Sequence, residues 1–266
     1  MKEFAARPSR LQRQIVPPLI LGSSVATALL SNIAVMEPVS ISQLPGYHLQ
    51  RHAATQFVIG RLLANGLVRK YWNRGRTYRE APTVLTLNHQ HPVIESIISL
   101  LRSLGNLPDV AMTASPALDH LIDKADPGIP ELRTLFGTPK RTLILAIARA
   151  IPGIRSGVLA QVIAANDLGR IRPLQSLIKS GLIVTGRPSD FRNGVRVGNN
   201  RLFGLRRSEH WSVPLDNVLD NIINLEPYVQ SKCAAALVLQ SAKNNSIAMH
   251  KNASSPLSKY RKTQCR

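Results

Sequence analysis

The sequence predicts a mainly α-helical fold with small β-hairpins, built as two units of one plan in tandem. Three observations predict it. Glycine and apolar positions recur at a fixed offset, both copies show helical periodicity, and each copy has a polar, glycine-bearing loop between short β-like segments. The length of 266 residues is enough for one or two domains with buried cores. The repeat favours two.

The two copies are related by an offset of 115 residues, which takes Gly22 to Gly137 without a gap. Apolar character is also kept at many positions, as in the pair Leu21 and Phe136. The order of these positions, rather than their identity, indicates a common plan. Identical pairs at this offset include Gly22/Gly137, Thr27/Thr142, Leu30/Leu145, Leu44/Leu159, Leu62/Leu177, Gly66/Gly181 and Leu67/Leu182.

Each copy opens with a helix, continues through a short segment and reaches a longer helix that ends at a glycine. In the first copy the apolar run 14–36 contains the first helix, and the long helix is expected over His52–Asn65 before Gly66. Glycine just beyond a helix favours the left-handed conformation that ends it. The corresponding segments of the second copy are Thr134–Ala150, the region around Leu159, Leu168–Ser180 and Gly181.

A β-hairpin and a last helix complete each copy. The hairpins begin at Leu67 and Leu182, and an arginine-rich, glycine-containing loop separates their strands. The return strands are expected at Val84–Leu87 and Arg201–Leu205, so the second loop is a few residues longer. An apolar helical pattern then follows Pro92 in the first copy and Pro214 in the second.

The domain boundaries follow from these elements. A basic N-terminal arm (1–18) precedes the first unit (19–104), and a linker (105–130), expected to include a short helix at Ala117–Lys124, leads to the second unit (131–229). The basic, Ser/Asn-rich tail (230–266) is expected to be disordered, chiefly beyond Gln240.

The second copy opens with Leu-Phe-Gly-Thr at 135–138, both copies contain Leu-x-x-x-Gly-Leu, and the residues 87–92 read Leu-Asn-His-Gln-His-Pro. With these motifs both units resemble the ArsR-like winged-helix domain, a bacterial and archaeal DNA-binding fold. The first helix of that domain often opens with Leu-Phe-Gly-Ser, close to the residues 135–138 here, and its helix-turn-helix ends in Leu-x-x-x-Gly-Leu, as at 62–67 and 177–182. Its wing often ends in Leu-Asn-x-x-His-Pro, which the residues 87–92 match. The resemblance implies two winged-helix domains in tandem, each with a helix-turn-helix and a wing.

Two prolines depart from the pattern of this family. Pro45, followed by Gly46, lies where the second helix of the fold usually continues, so we expect that helix to be short or distorted. Pro173 lies within the expected second reading helix and would bend it unless it occupied the first turn.

The resemblance implies that the second helix of each helix-turn-helix enters the major groove with its N-terminal residues at base edges. The apolar face of the first such helix leaves its start exposed, where Arg51 and Gln56 suit guanine and adenine. Asp167 at the start of the second is read as an N-cap. The candidate base-contacting residues are Arg51, His52, Thr55 and Gln56 in the first copy and Asn166, Arg170 and Arg172 in the second.

The two hairpins carry the cations suited to phosphate contact and to insertion into the minor groove. The first combines cations with three aromatic residues and a glycine between Arg69 and Arg79. The candidate phosphate-contacting residues are Arg69, Lys70, Arg74, Arg76 and Arg79 in the first hairpin and Arg187, Arg192 and Arg196 in the second.

The charge agrees with a polyanionic partner. Lysine and arginine number 34 against 15 acidic residues, a formal charge of +19, which favours nucleic acid through counterion release or an anionic membrane. The apolar run 14–36 could be a membrane anchor, but its second-copy equivalent contains Lys140, Arg141 and Arg149. We therefore expect double-stranded DNA as partner, no membrane, and a cytoplasmic location, with homodimerisation possible.

Catalytic and metal chemistry have little support in the sequence. His89 and His91 could join Asp119, His120 and Asp123 in a metal sensor, but the spacing is not diagnostic, and a strand-to-helix turn explains the first two more simply. Cys233 and Cys265 have no paired spacing. We expect no enzyme activity, cofactor or metal.

The expected function is that of a sequence-specific, DNA-binding transcriptional regulator, acting as a single-chain pseudo-dimer or as a dimer of such chains. One alternative is a plasmid or phage replication initiator. The other is a structural or interaction protein that uses winged-helix units for docking, because a fold does not determine a function.

Overall fold

The structure, a computed structural model, describes residues 21–44, 52–73, 83–107, 121–123, 132–164, 171–186 and 202–253. These residues are mostly helical and include two small antiparallel sheets. The predicted class, mainly α with small β elements, is confirmed at this level.

The first half places one four-stranded sheet among three helices. Its strand order is β1-β3-β2-β4, and every neighbouring pair is antiparallel. A 3₁₀ turn at Ile41–Gln43 takes the place of the second helix, which was expected to be short or distorted. The elements are α1 (Ser24–Met36), β1 (Val39–Ser40), α2 (His52–Ala64), β2 (Val68–Asn73), β3 (Thr83–Leu87), α3 (Ile94–Ser103) and β4 (Leu121–Asp123).

The second half repeats this order and adds a long C-terminal helix. Its sheet has the order β5-β7-β6, which corresponds to β1-β3-β2. After a 3₁₀ turn at Leu132–Thr134, the elements are α4 (Pro139–Ala150), β5 (Ile154–Arg155), α5 (Ser156–Val162), α6 (Arg172–Lys179), β6 (Ile183–Gly186), β7 (Leu202–Leu205), α7 (Ser212–Leu225) and α8 (Pro227–Ala253).

The first helices of the two halves are capped in the same way at the offset of 115 residues. Ser23 Oγ accepts a hydrogen bond from Ala26 N at 3.1 Å, and Thr138 Oγ1 accepts one from Arg141 N at 3.2 Å. Each side-chain oxygen satisfies an amide of the first turn that has no partner within the helix. The capping hydrogen bonds therefore recur at the same offset as the residues.

The longer helices end in the same way too. Gly66 and Gly181 have φ of +70° and +75°, in the left-handed region that ends a helix. The next amide, that of Leu67 or Leu182, donates to the carbonyl five residues earlier at 3.1 or 3.0 Å. The predicted glycine stops are confirmed, and they fix the relative register of α2 and α6.

The hairpins differ in length, as expected. Lys70 pairs with Leu85 and Thr185 with Phe203, so the paired residues are 15 apart in the first hairpin and 18 apart in the second. The offset between the halves changes accordingly from 115 to 118 residues beyond the hairpins. The strand pairs on the far side, Val39 with Leu85 and Ile154 with Phe203, agree with this change.

Two predicted segments are wrong. The expected helix at 117–124 is replaced by β4, in which Ile122 pairs with Trp72 on the outer edge of β2. The expected disorder of the tail is wrong as far as Ala253, because α8 runs through it and packs against α4, α5 and α7. This helix buries a face spaced four, three and four residues apart: Val229, Cys233, Ala236 and Gln240.

Pro173 lies in the first turn of α6, where a missing amide proton costs no helical hydrogen bond. The helix consequently starts at Arg172 rather than at Leu168 as predicted. The proline sets the start of the helix instead of bending it.

The two halves share one hydrophobic core. A single cluster of buried residues includes Leu30 and Ile97 from the first half and Phe136 and Leu219 from the second. Helices α3 and α7, which occupy equivalent places, pack against each other. Among the described residues, no helix has both the length and the apolar character needed to cross a bilayer.

Equivalent glycines meet where the halves join. A Cβ atom on Gly22 would lie 2.5 Å from Gly137 Cα, so the two backbones touch. Both glycines have positive φ, +86° and +101°. Contact between a residue and its own counterpart occurs at the two-fold axes of symmetric dimers, and here such a contact occurs within one chain.

Candidate nucleic-acid interface

The exposed face of α2 is nearly uncharged. Ala53, Gln56 and Phe57 are exposed, and Phe57 is 73% exposed. Gly60 lies on the same side with no atom within 4 Å of a Cβ placed on it. His52 begins α2, but its side chain and the whole of Arg51 lie outside the described residues. Gln56 thus has the exposure expected of it.

The expected exposure of Thr55 is wrong. Its side chain is only 2% exposed and lies on the buried face of α2. Thr55 stands three, four and seven residues before Val58, Ile59 and Leu62, the spacing of one helix face. That spacing was visible in the sequence and could have placed Thr55 in the core.

The exposed face of α6 is mostly polar and basic, and it also includes Ile178. Arg172, the first residue of the helix, is exposed, as are Gln175 and Lys179. Leu174 and Leu177 are buried and hold the helix on the core of the second half. Arg172 therefore occupies the helix start that was expected of it. Asn166 and Arg170 lie outside the described residues.

Most of the candidate hairpin cations lie beyond the described strands. Arg69 and Lys70 are half-buried on β2, and Arg69 Nη2 donates to Gln90 Oε1 at 2.9 Å. The structure thus places these two cations on the strand that leads into the first hairpin loop. Those outside the described residues are Arg74, Arg76, Arg79, Arg187, Arg192 and Arg196.

An open cavity lies beside the second hairpin. Its volume is about 390 Å³, and two cations border it, Lys179 at the end of α6 and Arg206 directly after β7. Neither was a candidate from the sequence, although both adjoin predicted element ends. The lining residues are Ile178, Lys179, Gly181, Ile183, Val184, Thr185 and Arg206.

No protein-family model, curated protein or solved structure matches this chain. Among the described residues, the exposed faces of α2 and α6, the cationic strand β2 that enters the first hairpin, and the basic cavity beside the second hairpin offer surfaces for binding.

Histidines near the first hairpin stabilise a turn. Glu37 Oε2 accepts from Leu87 N at 2.8 Å, and Glu37 Oε1 is 2.7 Å from His89 Nε2. His91 is buried, its Nδ1 accepts from Val93 N at 3.2 Å, and burial lowers its pKa. The predicted strand-to-helix turn is confirmed for His89 and His91. Within the described ranges, no three His, Cys, Asp or Glu side chains are grouped so as to hold a metal ion.

Two arginines lie where the halves meet. Arg61 Nη2 donates to the carbonyl of Leu21 at 2.9 Å, and Arg141 Nη1 donates to Ser176 Oγ at 2.7 Å. Burial lowers the pKa of both guanidinium groups, and the charge of Arg61 lowers that of Arg141 further. Two like charges, one near the end of α2 and one near the start of α4, therefore repel each other across the join, and each guanidinium group is held by its own hydrogen bond.

Proposed function

We propose that this chain is a double-stranded DNA-binding transcriptional regulator with two winged-helix units that act as an internal pseudo-dimer. The observation that carries the proposal is the repeated helix and hairpin plan, whose equivalent glycines meet at Gly22 and Gly137. Helix-turn-helix dimers use two equivalent helices related by a two-fold axis to address two half-sites. Here both helices belong to one chain.

In this proposal α2 and α6 are the reading helices and enter successive major grooves. The exposed side chains at their starts, Gln56 and Arg172, face base edges. The hairpins, reached through Arg69 and Lys70 in the first half, contact phosphates. The formal charge of +19 supports this assignment, because it draws the chain to a polyanion.

Salt-dependent DNA binding tests the proposal. Replacing Arg74 and Arg76 by alanine should weaken binding to all duplexes alike and lower the salt slope by about one unit for each lost phosphate contact. Arg51→Ala should instead reduce discrimination between sites. Fluorescence anisotropy with labelled duplexes at several salt concentrations measures both effects.

Lys232→Ala is the charge-matched control. Lys232 lies on α8, with its ammonium group 5.8 Å from the centre of the Tyr228 ring, outside the proposed interface. The substitution Lys232→Ala removes one positive charge, as each hairpin substitution does. The slope of affinity against salt concentration should therefore change only for the hairpin variants. Equal slopes for the triple variant Arg51→Ala, Arg74→Ala, Arg76→Ala and the original chain would reject the assignment.

A second candidate function is protein docking. Leu237 and Val238, adjacent residues on α8, are 47% and 69% exposed, and large exposed apolar side chains that cluster mark interaction surfaces. Negligible affinity for any duplex at physiological salt would favour this function over DNA binding.

A further inference from the structure

The two reading helices, α2 and α6, carry different chemistry at equivalent positions. Their register is fixed by Gly66 and Gly181, which end the helices with the same hydrogen bonds. Nine residues before these glycines stand Phe57 and Arg172. The structure thus puts a large apolar ring and a guanidinium group at the same place on the two helices.

Both positions face outward. Phe57 is 73% exposed, and Arg172 is exposed at the first residue of α6. An apolar ring of this size on the surface has no role in the hydrophobic core, to which Val58, Ile59 and Leu62 of the same helix contribute. A contact with a partner would remove its apolar surface from water.

The two helices also differ at the next exposed position, one turn further along. Gly60 on α2 stands at the position of Gln175 on α6. Glycine within a helix is destabilising relative to alanine, and no atom of the described structure approaches Gly60 closely enough to require it. A bare backbone here allows a partner to approach α2 more closely than α6, where Gln175 is exposed.

These side chains suit different bases in the major groove. Arginine binds guanine O6 and N7 with two hydrogen bonds, and glutamine binds adenine N7 and N6. An apolar side chain such as phenylalanine contacts the methyl group of thymine. The α2 face, with Gln56 and Phe57, therefore suits A·T pairs, whereas Arg172 on α6 suits a G·C pair.

We propose that the chain recognises a composite, non-palindromic DNA site. One half-site presents a thymine methyl group to Phe57 and an adenine to Gln56, and the other presents a guanine to Arg172. This inference rests on the proposed DNA-binding function and names the class of site that the function requires.

Selection of bound duplexes from a random library with the full chain tests this inference. The original chain should enrich two dissimilar half-sites, one A·T-rich and one with a guanine, about 10 base pairs or a multiple of that apart. Arg172→Ala should lower the preference for guanine roughly tenfold or more in one half-site only. Phe57→Ala should lower the preference for thymine in the other half-site only.

Phe57→Arg provides a gain-of-specificity arm. It makes the two equivalent positions alike, so the selected site should acquire a guanine in the formerly A·T-rich half and become more symmetric. Phe57 is exposed, so this variant should retain its thermal unfolding midpoint, which is measured alongside.

The outcomes separate the two proposals. Selection of an inverted repeat with equal half-sites by the original chain, or no new guanine with a folded Phe57→Arg variant, would overturn the composite site while leaving DNA binding intact. Failure to bind any duplex at low salt would overturn the proposed function itself.

Discussion

Single buried polar side chains connect the first helix to the first hairpin. The carboxylate of Glu37, directly after α1, accepts from the backbone amide of Leu87 and contacts His89. His91 is buried in the same turn and remains neutral more readily than a free histidine. These contacts hold the hairpin against α1 without using surface charge.

Acidification should destabilise the protein through His91. Burial lowers its pKa below the usual 6.5, so the unfolded chain binds more protons at acidic pH. The stability gained from neutral His91 is present above the unfolded pKa and is lost as pH falls from about 6.5 towards the lower folded pKa. His91→Asn retains an acceptor for Val93 N but does not titrate, so its free energy of unfolding should fall less between pH 7.5 and pH 5.

Urea unfolding at both pH values measures this effect. His210→Asn, at an exposed histidine, is the matched control and should keep the pH dependence of the original chain. An unchanged pH dependence in His91→Asn would contradict the assignment to His91.

The candidate site was only partly predictable from single residues. The exposure of Gln56 followed from helix periodicity and the choice of Arg172 from the offset between the copies, whereas Thr55 was misplaced because its polar side chain was taken as a sign of exposure. Phe57 was missed for the opposite reason. An aromatic residue in a helix gives no local signal of exposure, because only the packing of neighbouring elements decides which face is covered.

Helices and hairpins that depend on local pattern were predicted well. Glycine stops and alternating apolar residues are short-range signals, so α2, β2 and β3 agree with the expected elements. The strand β4 was missed because its stability comes from the edge of β2, about 50 residues earlier in the chain. The buried face of α8 could have been predicted from the spacing of its apolar residues, but the Ser/Asn-rich composition of the tail was taken as a sign of disorder.

Two glycine substitutions should have opposite effects on stability. Gly22→Ala places a Cβ atom 2.5 Å from Gly137 Cα at a φ of +86°, so the backbone conformation alone should cost about 1–3 kcal/mol, and the overlap adds to that cost. Gly60→Ala meets no atom within 4 Å and should stabilise α2 by about 0.5–1 kcal/mol. Chemical denaturation of both variants measures the difference.

Gly60→Ala also serves as the control, since it adds the same methyl group in the same half of the molecule. If Gly22→Ala were as stable as Gly60→Ala, the close contact between Gly22 and Gly137 would be refuted.

At the scale of the whole molecule, the repeat could be predicted but the shared core could not. Identical positions at one offset are visible in a single sequence. Each apolar residue was, however, assigned to its own unit, because no local signal tells whether a helix face packs within a unit or against the other one. The contact of α3 with α7 is such a case.

The shared core predicts one cooperative unfolding transition. The chain has two tryptophans, Trp72 in β2 of the first half and the buried Trp211 of the second. In the variant Trp211→Phe fluorescence reports on the first half, and in Trp72→Phe it reports on the second. Because one core joins the halves, each variant should give the same midpoint by fluorescence as by circular dichroism.

Comparison of the two probes within each variant controls for the effect of the substitution itself. Two midpoints within one variant, with fluorescence and circular dichroism disagreeing, would mean that the halves unfold independently.

The touching backbones of Gly22 and Gly137 have a consequence for how this chain evolves. In a homodimer every substitution appears twice, so both binding faces change together. With two copies in one chain, each outer face can change separately, and Phe57 and Arg172 differ at equivalent positions. The glycine pair lacks that freedom, since a side chain on either residue overlaps the backbone of the other, so both positions should accept only glycine.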